Sequence, residues 1–189
     1  YGTLKRLDEL TFQAAAASAG TTYVVPRIFN LAGAHISKTD HFALGDFVIA
    51  ARAGGPVEVR SPERVLRAYV GADEVVAVST ALALRGQSAA FDTGGHLIEV
   101  GDLARLVARL HGLPASSVSR PAPQGEPADE YVGDPSRWDE LIADLGLRSQ
   151  TLDDLIVATA RSLDNPAGSG IVPLGSDPAL PAKIQESTP

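Results

Sequence analysis

Length, composition and charge already exclude several classes of protein. The chain has 189 residues, which is enough for one domain with a sizeable core, and its net charge of −7 argues against non-specific nucleic-acid binding, which needs a basic face. It contains no cysteine, so disulfides, thiol catalysis and cysteine-ligated metals are excluded, and no apolar run approaches the roughly 18 residues of a membrane span, so we expect a soluble cytoplasmic protein.

The chain opens with a predicted helix that runs from Tyr1 to about Ala19, with Gly20 at the expected C-terminal cap. Tyr1 and Lys5 are four residues apart, a spacing that stacks two side chains on one face of a helix. A neighbouring ammonium favours the phenolate and lowers the pKa of tyrosine towards the working pH. The pair is therefore a candidate proton donor and acceptor, and the alternative is an ordinary surface pair.

An apolar stretch over residues 21–29 predicts a strand that is buried on both faces, followed by a loop over residues 30–40. Pro26 cannot donate to a ladder, so we expect an irregularity or a sheet edge there. Ligands of open parallel sheets bind beyond the carboxyl ends of strands. Helix, strand and loop could therefore converge on one site.

Short strands and amphipathic helices alternate over the rest of the chain. Asp134 and Pro135 predict a helix start in which the aspartate caps and the proline takes the first helical position, and Thr151 with Asp154 resembles a capping box. Helices are predicted at 42–53, 73–84, 103–110, 135–145 and 152–163, extended segments at 57–60, 66–70, 90–92, 96–100 and around 118, a proline-rich loop at 120–128 and a loose tail at 165–189.

Several segments together resemble the extended short-chain dehydrogenase/reductases, in particular the nucleotide-sugar epimerase and dehydratase branch. They are Tyr1-Gly-Thr-Leu-Lys5, the run from Arg27 to His35, residues 56–70, and the closing pattern in 131–137 and 151–155. The resemblance implies an α/β fold that comprises the C-terminal part of a Rossmann-type NAD(P)-binding fold and a small mixed α/β substrate-binding domain. It assigns residues 1–41 to the dinucleotide-binding domain and 42–164 mainly to the substrate-binding domain, with 65–92 returning to the sheet.

The resemblance also implies roles for individual residues. Tyr1 is expected to be the catalytic acid/base, and Lys5 to hold the nicotinamide ribose of NAD or NADP and lower the tyrosine pKa. Phe29 falls where the family contacts the cofactor, and Asn30 where it contacts the substrate. Arg67 matches the arginine that binds the diphosphate, the alternative being a surface arginine paired with Glu63 or Asp73.

Other positions refine this interpretation. Arg60 falls where the family lines the nucleotide base, and no metal site is predicted because the four histidines lack a ligand spacing. Pro123 and Gln124 stand where the galactose epimerases have arginine. The set of arginines that would bind the substrate phosphates is therefore incomplete, and a strict UDP-galactose 4-epimerase is disfavoured.

The sequence therefore predicts an NAD(P)-dependent epimerase or dehydratase that acts on a nucleotide sugar and dimerises through the first helix. Two alternatives remain: an NADP-dependent carbonyl reductase of the same family, or a catalytically inactive fragment. No glycine-rich dinucleotide fingerprint follows a strand here, so this chain alone is expected to be inactive.

Overall fold

The computed structural model describes residues 2–34, 36, 41–122 and 129–164. Four of the sequence-based expectations lie wholly or partly outside these ranges: the catalytic role of Tyr1, the loop at 30–40, the proline-rich loop at 120–128 with its departures at 123 and 124, and the tail at 165–189. No helix within the described ranges is long and apolar enough to cross a membrane.

Six helices and eight short strands make up the described part of the chain. The helices are α1 (Gly2–Ala19), α2 (Ala43–Arg52), α3 (Ala72–Leu84), α4 (Val100–Leu110), α5 (Ser136–Leu145) and α6 (Leu152–Asp164). The strands are β1 (Val24–Arg27), β2 (Asn30–Ala32), β3 (Val57–Glu58), β4 (Val65–Gly71), β5 (Ala89–Asp92), β6 (His96–Glu99), β7 (Val118–Ser119) and β8 (Asp129–Tyr131), with a 3-10 turn at Ala115–Ser117.

Strand β4 is the centre of the largest sheet. It pairs in parallel with β2 at its C-terminal end, in parallel with β8 at its N-terminal end, and antiparallel with β6. Two further pairs, β1 with β5 and β3 with β7, are parallel. The predicted mixed α/β class is therefore confirmed.

Consecutive side chains of β4 enter two different cores. Tyr69 packs in a cluster with residues of α2, α4 and α6, whereas Val70 packs in a second cluster with α3, α5 and β5. Neighbouring residues of a strand point to opposite faces, so one apolar strand can be buried by helices on both sides. This layering fixes β4, and the polar residues that it carries, at the middle of the structure.

The boundaries of three elements differ from the prediction. The segment predicted as a loop begins with strand β2, because its backbone pairs with β4 in the register Asn30↔Tyr69. Val100 begins α4 rather than ending the preceding strand, since the Glu99 side chain caps that helix by accepting from the Gly101 N–H at 2.7 Å. Pro135 is the N-cap of α5 and not its first helical residue.

Two local predictions are confirmed. Thr151 and Asp154 form the capping box of α6: the Asp154 N–H donates to Thr151 Oγ1 at 3.1 Å, and the Thr151 N–H donates to Asp154 Oδ2 at 3.3 Å. Strand β1, which contains Pro26, pairs only with β5 among the described residues and so lies at an edge. Both outcomes follow from local chemistry: a side-chain oxygen caps free N–H groups, and proline cannot donate to a ladder.

A buried hydroxyl fastens α6 to the segment that follows β2. Thr159 is completely buried, and its Oγ1 accepts from the Gly33 N–H at 2.9 Å while lying 2.8 Å from the Leu155 carbonyl oxygen. Gly33 has φ of +101°, a conformation that glycine adopts most readily. The contact sets the position of the chain directly after Asn30.

Candidate functional site

A cleft of about 420 Å³ opens beside the N-terminal half of β4. It lies between α2, the segment that follows β3, and strands β4 and β8. Three of the residues predicted to bind substrate, Asn30, Arg60 and Arg67, line it together. Residues that are distant in sequence therefore share one concave surface of the size that small-molecule ligands occupy.

Arg67 is the more enclosed of the two arginines in the cleft, with 22% of its side chain exposed. Its Nη1 donates to the main-chain oxygens of Leu66 at 2.8 Å and Asp129 at 2.9 Å, and its Nη2 donates to the Asp129 carboxylate at 2.7 Å. The acidic partner is thus on β8, rather than being Glu63 or Asp73 as a surface pair would predict. The guanidinium is held in a fixed orientation.

The other two predicted ligands are held differently. Arg60 is 79% exposed and lies 3.2 Å from the carboxylate of Asp46 on α2. Asn30 donates its side-chain N–H to the Ala68 carbonyl oxygen at 3.3 Å, so its amide is oriented by β4. Arg60 can move into the cleft at little cost, because exposed ion pairs contribute little free energy.

A half-buried ion pair supports one wall of the cleft. Nη1 of Arg120 lies 2.8 Å from both carboxylate oxygens of Glu99, and the same guanidinium donates to the carbonyl oxygens of Ser61 and Glu63. Burial alone would raise the pKa of Glu99, but Arg120 and the N–H groups of Val65 and Gly101 together hold that pKa below its ordinary value. The carboxylate therefore stays ionised and anchors the turn at 61–64.

Tyr69 also lines the cleft and is buried. Burial raises the pKa of its phenol to about 12, and the nearby Arg67 only partly opposes this. A phenol with that pKa stays protonated at neutral pH, so Tyr69 can donate a hydrogen bond but is a poor general base.

The residues predicted to contact the cofactor lie outside this cleft. The ammonium of Lys5 is on α1, 3.7 Å from the Asp8 carboxylate, and its side chain is 62% exposed. Phe29 makes an edge-to-face contact with Tyr131, with ring centroids 5.1 Å apart. The structure therefore brings together the three residues predicted to bind substrate and places Lys5 and Phe29 outside their cleft.

Two charged groups were missed from the sequence. Asp129 gave no signal, because 62 residues separate it from Arg67. Glu9 did give one, since it lies four residues after Lys5 on the same helix. Glu9 is only 4% exposed and accepts from Arg27 at 2.6 and 3.1 Å, and Arg27 also donates to Asp92 at 2.8 Å. This network joins α1, β1 and β5.

Comparison with known proteins adds the fold family. No protein-family model matches the chain, and no curated protein matches it either. Solved structures do match. The UDP-glucose 4-epimerase of Thermotoga maritima, solved with UDP-glucose, has a TM-score of 0.68 and 22% identity, and the match covers 88% of this chain and 54% of that one.

Two other structures show the same relationship. A UDP-glucose 4-epimerase from Bifidobacterium longum in complex with NAD+ and UDP gives a TM-score of 0.64, 19% identity, and coverage of 89% and 56% of the two chains. A dTDP-glucose 4,6-dehydratase from Streptomyces venezuelae with NAD bound gives a TM-score of 0.62 and 20% identity. That match covers 84% of this chain and 49% of the dehydratase. The chain spans about half the length of the structures that it matches. It therefore has the α/β fold of the NAD-dependent nucleotide-sugar epimerases and dehydratases, as its sequence predicted.

Proposed function

We propose that this chain provides the substrate-binding part and the catalytic tyrosine of an NAD(P)-dependent epimerase or dehydratase that acts on a nucleotide sugar. The observation that carries the proposal is the cleft in which Asn30, Arg60 and Arg67 meet. It occurs within a fold whose solved examples hold UDP-glucose, or NAD+ with UDP. The proposed division is a dinucleotide-binding part up to residue 41 and a mainly substrate-binding part over 42–164.

In this proposal Arg67 binds the diphosphate of the substrate. Its guanidinium is planar, permanently charged and fixed by β4, which suits recognition of phosphate oxygens through two parallel hydrogen bonds. Asn30 offers an amide beside it, and the exposed Arg60 closes over the nucleotide end. The Ala68 carbonyl oxygen orients the Asn30 amide for this contact.

The chemical step is assigned to Tyr1 and Lys5. Tyr1 takes a proton from a sugar hydroxyl, and the ammonium of Lys5 favours the phenolate that accepts it. The Lys5 side chain is exposed, which is compatible with a role at the cofactor. The nicotinamide supplies the hydride acceptor, and this chain supplies position and the proton acceptor.

The binding half of the proposal is tested with UDP and Arg67→Gln. Glutamine keeps a polar side chain but lacks the positive charge and the two parallel N–H donors of the guanidinium. We therefore expect the Kd for UDP to rise by about 10- to 100-fold, as the loss of a charge-assisted contact predicts. Titration calorimetry measures it. Arg105→Gln, at an exposed position on α4, is the control and should leave the Kd unchanged. Equal affinities in the wild type and Arg67→Gln would refute the assignment.

The chemical half is tested in the full-length protein with Tyr1→Phe. Phenylalanine cannot accept or donate the proton, so turnover should be abolished while NAD(P) binding remains within a fewfold of wild type. Turnover is followed by the conversion of UDP-, GDP- and dTDP-sugars. A Tyr1→Phe enzyme with full activity contradicts the mechanism.

A carbonyl reductase of the same fold is the second candidate, and one observation favours it. Among the described residues that line the cleft, three carboxylates, those of Asp46, Glu58 and Asp129, stand beside two arginines and His41, which is unfavourable for a polyanionic diphosphate. The two candidates predict different thermal shifts. Stabilisation by at least one nucleotide sugar supports the first, and no shift with UDP-, GDP- or dTDP-sugars supports the reductase.

We further propose that the chain by itself is inactive and dimerises through α1. The edge strand β1 and α1 border an apolar groove of about 520 Å³, and Leu4, Leu7 and Phe12 of α1 are between 59% and 65% exposed. Apolar surfaces of this kind usually contact another polypeptide. Micromolar affinity of this chain for NAD would contradict the first statement, and a monomer in sedimentation at micromolar concentration would contradict the second.

A further inference from the structure

Asp129 occupies the hydrogen-bond donors of Arg67 that a phosphate would use. Its carboxylate accepts from Nη2 at 2.7 Å and its main-chain oxygen accepts from Nη1 at 2.9 Å. Guanidinium recognises carboxylates and phosphates with the same fork geometry. The protein thus presents an internal anion to the arginine that the proposed function assigns to the diphosphate.

The backbone sets the position of this internal anion. Strand β8 pairs with β4 so that Asp129 lies opposite Val65 and Tyr131 opposite Arg67, and the Asp129 N–H donates to the Arg64 carbonyl oxygen at 2.8 Å. The Asp129 side chain is 52% exposed, against 22% for Arg67. The carboxylate can therefore rotate into water at little cost, while the guanidinium stays in the cleft.

Carboxylates other than Asp129 also line the cleft. Among the described lining residues, Asp46 engages Arg60 and Glu58 adds a third carboxylate, beside two arginines and His41. A ligand anion that enters the cleft meets Asp129 both as a competitor for Arg67 and as a like charge. Both effects act on the phosphate part of a ligand and leave an uncharged ligand unaffected.

We propose that Asp129 is a specificity-determining residue: its carboxylate competes with ligand phosphate for Arg67, and this lowers the affinity of the cleft for phosphate ligands relative to uncharged ones. The inference rests on the proposed function for the identity of the site. A diphosphate carries more charge and more acceptor oxygens than a carboxylate. Its interaction with Arg67 therefore stabilises the complex by more than the loss of the Asp129 contact destabilises it. The exchange lowers the affinity of the cleft for phosphate ligands and leaves its affinity for uncharged ligands unchanged.

The test compares Asp129→Asn with Glu130→Gln, which removes one charge from the neighbouring, oppositely directed residue of β8. The probes are UDP, inorganic pyrophosphate and uridine, measured by titration calorimetry. Asparagine keeps the shape and the main-chain contact but not the charge. We expect Asp129→Asn to bind UDP and pyrophosphate about tenfold more tightly, the scale of one charge-assisted contact, with uridine unchanged. Glu130→Gln should stay within about twofold of wild type for all three probes.

Four results decide between the interpretations. A gain that persists in the double variant Arg67→Gln/Asp129→Asn, or no gain at all in Asp129→Asn, overturns the role of Asp129. If Asp129→Asn binds pyrophosphate more tightly than wild type does, but UDP binds no more tightly than pyrophosphate, the competition by Asp129 is supported and the nucleotide-sugar proposal fails. If no variant binds either anion, both fail. A shared melting temperature of Asp129→Asn and wild type shows that any gain is not a folding effect.

Discussion

Replacing Gly95 by alanine is expected to destabilise the protein by more than about 3 kcal/mol, the range reached only by severe backbone or core defects. Gly95 has φ of +126°, and an added Cβ would lie 2.2 Å from the carbonyl oxygen and 2.6 Å from the carbonyl carbon of Tyr69. These are main-chain atoms of the central strand, so they cannot rotate away. The substitution strains the backbone and separates β4 from β6, which pair at Tyr69↔His96.

Chemical denaturation of Gly95→Ala measures this effect, and Gly86→Ala is a matched control. Gly86 also has a left-handed φ, +66°, but an added Cβ there would have no atom within 4 Å. The control therefore reports the conformational cost alone, about 1 kcal/mol. Equal losses in the two variants would show that contact with Tyr69 is unimportant. Because Tyr69 and Arg67 share β4, the Gly95 variant should also bind UDP poorly.

Removal of Arg27 is the second large effect that we expect, about 2–3 kcal/mol of folding free energy. Arg27→Ala deletes the fork that donates to the buried Glu9 and also to Asp92, and a hydrogen bond to a charged group typically contributes 1.5–3 kcal/mol. In the variant Glu9 still pairs with Arg6, whose Nη1 lies 2.8 Å from Glu9 Oε1, and this pair limits the loss of stability. Arg6→Ala is the control: Arg6 is 57% exposed, so its removal should cost less than about 1 kcal/mol.

The pH dependence of stability separates this ion pair from a packing effect. The hydrogen bond from Arg27, opposed by burial and aided by Arg6, holds the pKa of Glu9 below its ordinary value of 4.5. A lowered pKa in the folded state means that the stabilisation is present above that ordinary value and is lost as the pH falls through the folded-state pKa. The difference between wild type and Arg27→Ala should therefore shrink in acid. A difference that is constant from pH 7 to pH 3 would rule out the ion pair as its source.

Local patterns were sufficient to predict most elements. The amphipathic spacing of α4, the Thr151–Asp154 capping box and the edge position imposed by Pro26 all depend on residues close in sequence, and they are present in the structure. Element ends were less predictable. Val100 belongs to α4 because Glu99 caps that helix, although the residue is as suited to a strand as to a helix.

The residues predicted to bind substrate illustrate what motifs alone can supply. The matches at Asn30, Arg60 and Arg67 named three residues that line one cleft. No spacing rule indicated the carboxylates that face them, since Asp46 and Asp129 lie on other elements. Lys5 and Phe29, which the same resemblance placed at the cofactor, do not line that cleft, and their role remains a prediction, as does that of Tyr1.

By itself the sequence determined the α/β class, the helix faces and the fold family, because periodic burial and short motifs are properties of neighbouring residues. Only the tertiary structure decided which charges meet: Asp129 with Arg67 across 62 positions, and Glu9 with Arg27 and Asp92 across three elements. Ion pairs between distant segments depend on strand order and register, which set distances of a few ångströms that no local pattern encodes.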